Sequence, residues 1–154
     1  MDCYLIILTF IVTALWDVVL RLLSLNYEIN WLPFIEYLKP YFKHHTMLSA
    51  ALIAGFVGAI TQMIILSIAS FPFVFEIGYV SYFLAITFVI SALYGFIMKW
   101  SGLFPHLKKH YYDKLGIVRS MYHDGISGLI VQSTLLLIMF VLRNPKTNHQ
   151  KTNI

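Results

Sequence analysis

Residues 46–70 read TMLSAALIAGFVGAITQMIILSIAS, 25 consecutive residues without an Asp, Glu, Lys or Arg. A helix needs about 20 mostly apolar residues, at a rise near 1.5 Å each, to cross roughly 30 Å of hydrocarbon. This stretch is predicted to span a membrane. To its N-terminal side, Cys3–Leu23 is apolar and uncharged until Asp17. To its C-terminal side, a third stretch begins after Glu76 and runs from Ile77 to Met98, where Lys99 and Trp100 mark an interface. The apolar part of the last stretch, Ile126–Leu142, is short for a span. It reaches full length only if Met121, Tyr122, His123, Asp124 and Gly125 supply a first turn near the headgroups. Four spans are therefore expected, at about 3–23, 46–70, 77–98 and 121–142, followed by a polar tail at 143–154.

Composition agrees with this reading. The 154 residues are 59% hydrophobic and only 12% charged, with a mean hydropathy of +0.75. A soluble domain averages roughly 45–50% apolar and about 25% charged residues, so a soluble globular domain is excluded. Twelve Phe and ten Tyr exclude disorder. One cysteine, Cys3, excludes an internal disulfide framework and a cysteine-based metal cluster. Runs such as Leu135–Leu142 are apolar on every side, whereas strands of a membrane barrel alternate in polarity. The fold class is all-α, an integral membrane four-helix bundle with aromatic and basic interfacial loops.

Phe71–Ile77, with Pro72, leaves room only for a tight turn, so the second and third spans are expected to form an antiparallel hairpin. The other two connections are long. Asn26–His45 and Lys99–His123 interleave aromatic with charged residues, as segments in the headgroup layer do. Pro33, Pro40 and Pro105 are expected to limit helices there. In the second connection, Leu107, Tyr111, Lys114 and Leu115 recur at helical spacing before Gly116, which predicts a short surface helix from Pro105 to Leu115.

Eight of the eleven basic residues lie at the ends joined by these two connections: Arg21, Lys39, Lys43, Lys99, Lys108, Lys109, Lys114 and Arg119. That side is expected to be cytoplasmic and both termini lumenal or exterior. Met1-Asp2-Cys3 has no basic start, so a cleaved signal peptide is not expected. The net charge of +4 is assigned to anionic headgroups, with Lys99, Lys108, Lys109, Lys114 and Arg119 as lipid or partner contacts and no nucleic acid as partner.

Asp17 and Arg21 are four residues apart and share a helix face, so they are expected to pair. Measured from the cytoplasmic helix ends, Asp17 lies roughly 9 Å deep, Ser91 roughly 10 Å, Gln132 roughly 14 Å, and Thr13 and Thr87 roughly 15–16 Å. They are expected to form one intramembrane polar layer, Asp17, Arg21, Ser91 and Gln132 foremost. The expected role is hydrogen-bond glue, and the alternative is the lining of a small hydrated cavity. Gln62 and Thr61 are assigned a different level. Two ridges on the second span, Ala50/Ala54/Gly58 and Ala51/Gly55/Ala59, permit close helix approach, chiefly within the chain and alternatively in a homo-oligomer.

Five of six histidines fall on the cytoplasmic side, and His106 and His110 have i, i+4 ligand spacing. Membrane di-iron enzymes need about twice as many histidines in repeated boxes, so no metal, cofactor or catalytic residue is expected. The stretch SALYGFIMKWSGLFPHLKKHYYDKLGIVRSMYHDGISGLIVQ, Ser91–Gln132, resembles uncharacterised multi-pass membrane proteins of large DNA viruses of algae and protists. That resemblance implies a setting, an internal virion membrane beneath a protein shell, with membrane or capsid proteins as partners. It carries no residue role. The reading favoured by the sequence is a non-enzymatic structural or assembly component of a membrane. The alternative is a small ion- or proton-coupled transporter or pore using the polar layer.

Overall fold

A computed structural model describes residues 3–26, 33–72, 74–103, 105 and 108–143 of the chain. Its helices are α1 (Cys3–Asn26), α2 (Pro33–His44), α3 (Met47–Ile68), α4 (Ile77–Ser101) and α5 (Ile117–Arg143), with a π-helical turn at Lys108–Tyr112 before α5. No strand occurs among the described residues. Helices α1, α3, α4 and α5 are each long and apolar enough to cross a membrane. The protein is thus an all-α, multi-pass integral membrane protein. Apolar side chains such as Ile7, Leu15, Phe56, Ile60, Val89 and Leu137 face outward, which hydrocarbon tolerates and water does not.

Local chemistry sets the ends. Thr46 caps α3, its hydroxyl oxygen accepting from the Ser49 N–H at 3.2 Å. Gly102 ends α4 at φ 64°, a left-handed conformation that glycine adopts without a Cβ penalty. Pro33 opens α2, where its missing N–H costs nothing. Pro40 does not stop that helix. It lies inside α2, whose Tyr41 and Phe42 are buried with Ala50 and packed by Leu20. Burial of the helix on α1 and α3 outweighs a backbone penalty of about 3 kcal/mol.

The bundle consists of two intimate pairs, α1 with α3 and α4 with α5. Helices α3 and α4, consecutive and expected to make a close hairpin, touch each other far less. Small residues explain the pairing. A Cβ on Gly55 would meet the Phe10 ring at 2.8 Å, and one on Gly58 would run into Thr13, so α3 receives α1 at its glycines. In the other pair a Cβ on Gly125 would meet the Phe88 ring at 2.6 Å, one on Gly128 would run into Ser91, and one on Gly95 would meet the Asp124 carboxylate at 2.5 Å. Close backbone approach is the main source of packing energy where lipid is as apolar as the protein. Of the two ridges expected on α3, Ala50 and Gly55 are buried, while Ala51, Ala54, Gly58 and Ala59 are partly buried.

Of the expected helix from Pro105 to Leu115, Pro105 is helical, residues 106 and 107 lie outside the described residues, Lys108–Tyr112 form a π-helical turn and 113–115 are turn and bend; Tyr111, Tyr112 and Leu115 are buried with Met98. Helix α5 then begins at Ile117, four residues before the expected 121. The expectations for Tyr27, Trp31, Phe104, His106 and the tail after Arg143 lie outside the described residues.

Candidate functional site

A cavity of about 130 Å³ lies between the two pairs, lined from all four spans. Helix α1 contributes Thr9 and Thr13; α3 contributes Gly58, Thr61 and Gln62; α4 contributes Thr87, Ser91 and Tyr94; α5 contributes Asp124, Ser127, Gly128 and Gln132. Val57, Ile65 and Val131 complete it. Each helix presents its polar residues three or four positions apart, which is one helical face.

Depth along the helices orders the site. Asp124 and Tyr94 both lie seven residues from the helix ends at Ile117 and Ser101, so roughly 10 Å in. Gln62 and Gln132 each lie fifteen residues from the starts of α3 and α5, so both sit at roughly 22 Å. The two glutamines share a level. Gln62 therefore belongs to the same cavity as Ser91 and Gln132, and its assignment to another level is corrected. The cause is the early start of α5, which carries Gln132 four residues deeper.

Thr9, Gln62, Thr87, Ser91 and Gln132 are buried, and Thr13, Thr61, Tyr94, Asp124 and Ser127 are partly buried. Thr9, Thr13 and Thr87 donate their hydroxyl protons to carbonyls four residues back, at 2.6, 2.8 and 2.9 Å. Gln62 and Gln132 are each 1% exposed, and the Nε2 of each is buried without a hydrogen-bond partner in the protein. Interhelical glue would join such groups to each other. Among the described residues no hydrogen bond joins two of the cavity-lining side chains across helices, while Trp16 Nε1 of α1 donates to the Thr134 hydroxyl of α5 at 3.1 Å outside the lining. A cavity this size has room for several water molecules.

Asp17 is not among the lining residues. It lies one turn along α1 from Thr13, and its Oδ2 is buried without a hydrogen-bond partner. The Arg21 charge acts on Asp17, as the expected pairing requires, but its guanidinium donates its hydrogen bond to the His45 carbonyl at 2.7 Å and lies over the Phe42 ring of α2 at 5.9 Å. Tyr41 of α2 is pushed up to about 12 by burial and by the Asp17 charge, with Arg21 opposing.

The loop end of the cavity is closed by the π turn. Tyr112 donates its phenol proton to Oδ2 of Asp124 at 2.8 Å, and the Tyr111 hydroxyl lies 3.5 Å from Nδ1 of His123. Burial raises both phenols well above their ordinary value near 10, and the Asp124 charge adds to it. Lys99 fixes this turn from below, donating to the carbonyls of Tyr112 at 2.7 Å and Leu115 at 2.5 Å. Lys99 thus ties the turn to the end of α4 through two carbonyls, a role the sequence reading did not assign to it. Lys109, Lys114 and Arg119 are exposed and Lys108 is partly so. Asp124 was expected at the headgroups and is instead inside. Its spacing from Gly128, Val131 and Gln132 carried the signal, since those positions share a face. Among the described residues, no three His, Cys, Asp or Glu side chains gather in a way that could hold a metal ion.

No family model matches this chain, and neither curated proteins nor solved structures include a match to it.

Proposed function

We propose that the protein provides a membrane site and pathway for a small polar solute, without covalent chemistry. One observation carries this reading: Gln62 and Gln132 line a common cavity at one level, and the amide nitrogen of each is buried without a hydrogen-bond partner in the protein. An unpaired amide in an apolar medium costs several kcal/mol, a penalty that solvent or solute in the cavity would offset. The share of basic residues at the α1–α3 and α4–α5 connections supports a cytoplasmic location for that end. The test is solute-driven shrinkage and recovery of proteoliposomes in glycerol, read by light scattering. Recovery faster than in empty liposomes, and slowed in Gln132→Leu, supports the reading; recovery identical to empty liposomes rejects it.

A second reading, a structural or assembly component of a membrane, draws on the other end of the molecule. Lys109, Lys114 and Arg119 are exposed beside exposed Trp100, Leu103 and Tyr122, a basic and aromatic surface suited to headgroups or a neighbouring protein. The resemblance of Ser91–Gln132 to membrane proteins of large DNA viruses supplies a setting for it, with shell proteins as partners. Co-purification of shell proteins with the intact chain, lost when these three cations become Gln, would favour this reading.

A further inference from the structure

Resting on the solute-pathway reading, we infer that the cavity selects a small cation and that Asp124 is the residue that sets this preference. The lining holds one carboxylate, Asp124, and no Lys, Arg or His. The nearest ammonium along α4, that of Lys99, is already held by two carbonyl oxygens. Asp124 accepts one hydrogen bond, from Tyr112, which leaves it further acceptor capacity toward the cavity. An anion entering here would meet a carboxylate and no compensating positive charge.

The neutral groups act in the same direction. Because Thr9, Thr13 and Thr87 give their protons to carbonyls of their own helices, their hydroxyl oxygens remain as acceptors. At the level of Gln62 and Gln132, each amide can turn either its oxygen or its nitrogen inward. Two amide oxygens with the Thr87 hydroxyl, fourteen residues from the end of α4, make an oxygen-rich level about 12 Å deeper than Asp124. Hard cations take oxygen ligands, and acidic side chains at a constriction favour cations over anions. The volume of about 130 Å³ admits an alkali-metal ion with a few waters and excludes bulky organic cations.

The experiment compares three probes on the same proteoliposomes of the full chain: Rb⁺ uptake under an inside-negative potential, Cl⁻ uptake under the opposite potential, and glycerol recovery. Rb⁺ uptake at least about tenfold above Cl⁻ uptake is expected, with the Rb⁺-to-glycerol ratio falling at least about fivefold in Asp124→Asn. Cl⁻ moving as fast as Rb⁺, glycerol moving without Rb⁺, or an unchanged ratio in Asp124→Asn would each overturn the inference while leaving the solute pathway standing. If none of the three probes moves, the pathway itself fails. The wild-type Rb⁺-to-Cl⁻ ratio decides the cation preference without any variant, and should Asp124→Asn misfold, Asp124→Glu, which keeps the carboxylate, is expected to keep the Rb⁺-to-glycerol ratio within about twofold, a larger fall overturning the role of Asp124.

Discussion

Tyr112 of the π turn donates a 2.8 Å hydrogen bond to Asp124 of α5, joining the loop that covers the bundle to the carboxylate that lines its cavity. The bond lies between two apolar regions. Toward the loops are Met98, Tyr111 and Leu115, and toward the α3–α4 turn is the core of Leu5, Ile65, Phe71, Phe83, Leu135 and Leu136. Polar groups thus occupy the middle of the bundle and apolar groups both ends.

Glutamine replacement separates glue from cavity. If Gln62 and Gln132 joined helices, Gln132→Leu would destabilise the bundle by about 0.6 kcal/mol or more. Since neither amide nitrogen has a protein partner, Gln132→Leu should leave the thermal midpoint in detergent unchanged or raised while glycerol recovery slows. A lowered midpoint with unchanged recovery would restore the glue reading.

Glycine replacement tests the pairing of helices. Gly125→Ala drives a Cβ to within 2.6 Å of the Phe88 ring and should cost about 1–3 kcal/mol. Gly78 has nothing within 4 Å, so Gly78→Ala should be neutral or slightly stabilising. Thermal midpoints of the two variants in one detergent make the comparison, and equal shifts would contradict the α4–α5 contact.

Lys99 should be felt in the loop and not at the membrane surface. Lys99→Met removes two charge-assisted hydrogen bonds, each worth about 1.5–3 kcal/mol, and hydrogen exchange across residues 108–116 should accelerate. Binding to anionic vesicles should change little. The reverse pattern, slow exchange with lost vesicle binding, would return Lys99 to the headgroups.

Alkaline pH should loosen the same loop. Tyr111 and Tyr112 have folded values above the unfolded value of 10, so their contribution is fully present below pH 10 and is lost as pH rises through the folded values. Each adds a slope of about 1.4 kcal/mol per pH unit in that window. Thermal midpoints between pH 9 and 11.5 should fall, and less steeply in Tyr112→Phe. A flat profile would show that these phenols are solvated.

The spans were legible because hydrocarbon imposes a length and forbids charge, so Thr46–Ser70 and its three counterparts declare themselves. The cavity was half legible. Ser91, Gln132, Thr13 and Thr87 were recognised by depth, but depth depends on where a helix begins, and α5 begins at Ile117, inside a stretch whose Arg119, His123 and Asp124 read as interfacial. His123 and Asp124 turn inward because Tyr111 and Tyr112 bring hydroxyls to them, a tertiary contact that no local pattern announces. For Asp17 the i, i+4 spacing to Arg21 was legible and the Arg21 charge does act on it, but the hydrogen bond of the guanidinium to the His45 carbonyl and its place over the Phe42 ring come from α2 and the start of α3, which the spacing does not announce.

The central claim is that water and solute reach Gln132 inside the bundle. The most direct measurement is labelling of Gln132→Cys, in a Cys3→Ser background, by a small cationic methanethiosulfonate added to proteoliposomes, with lipid-facing Leu137→Cys alongside. Labelling of Gln132→Cys with loss of glycerol recovery, and no labelling of Leu137→Cys, is the predicted result. A Gln132→Cys thiol as unreactive as the one at position 137 would contradict the account.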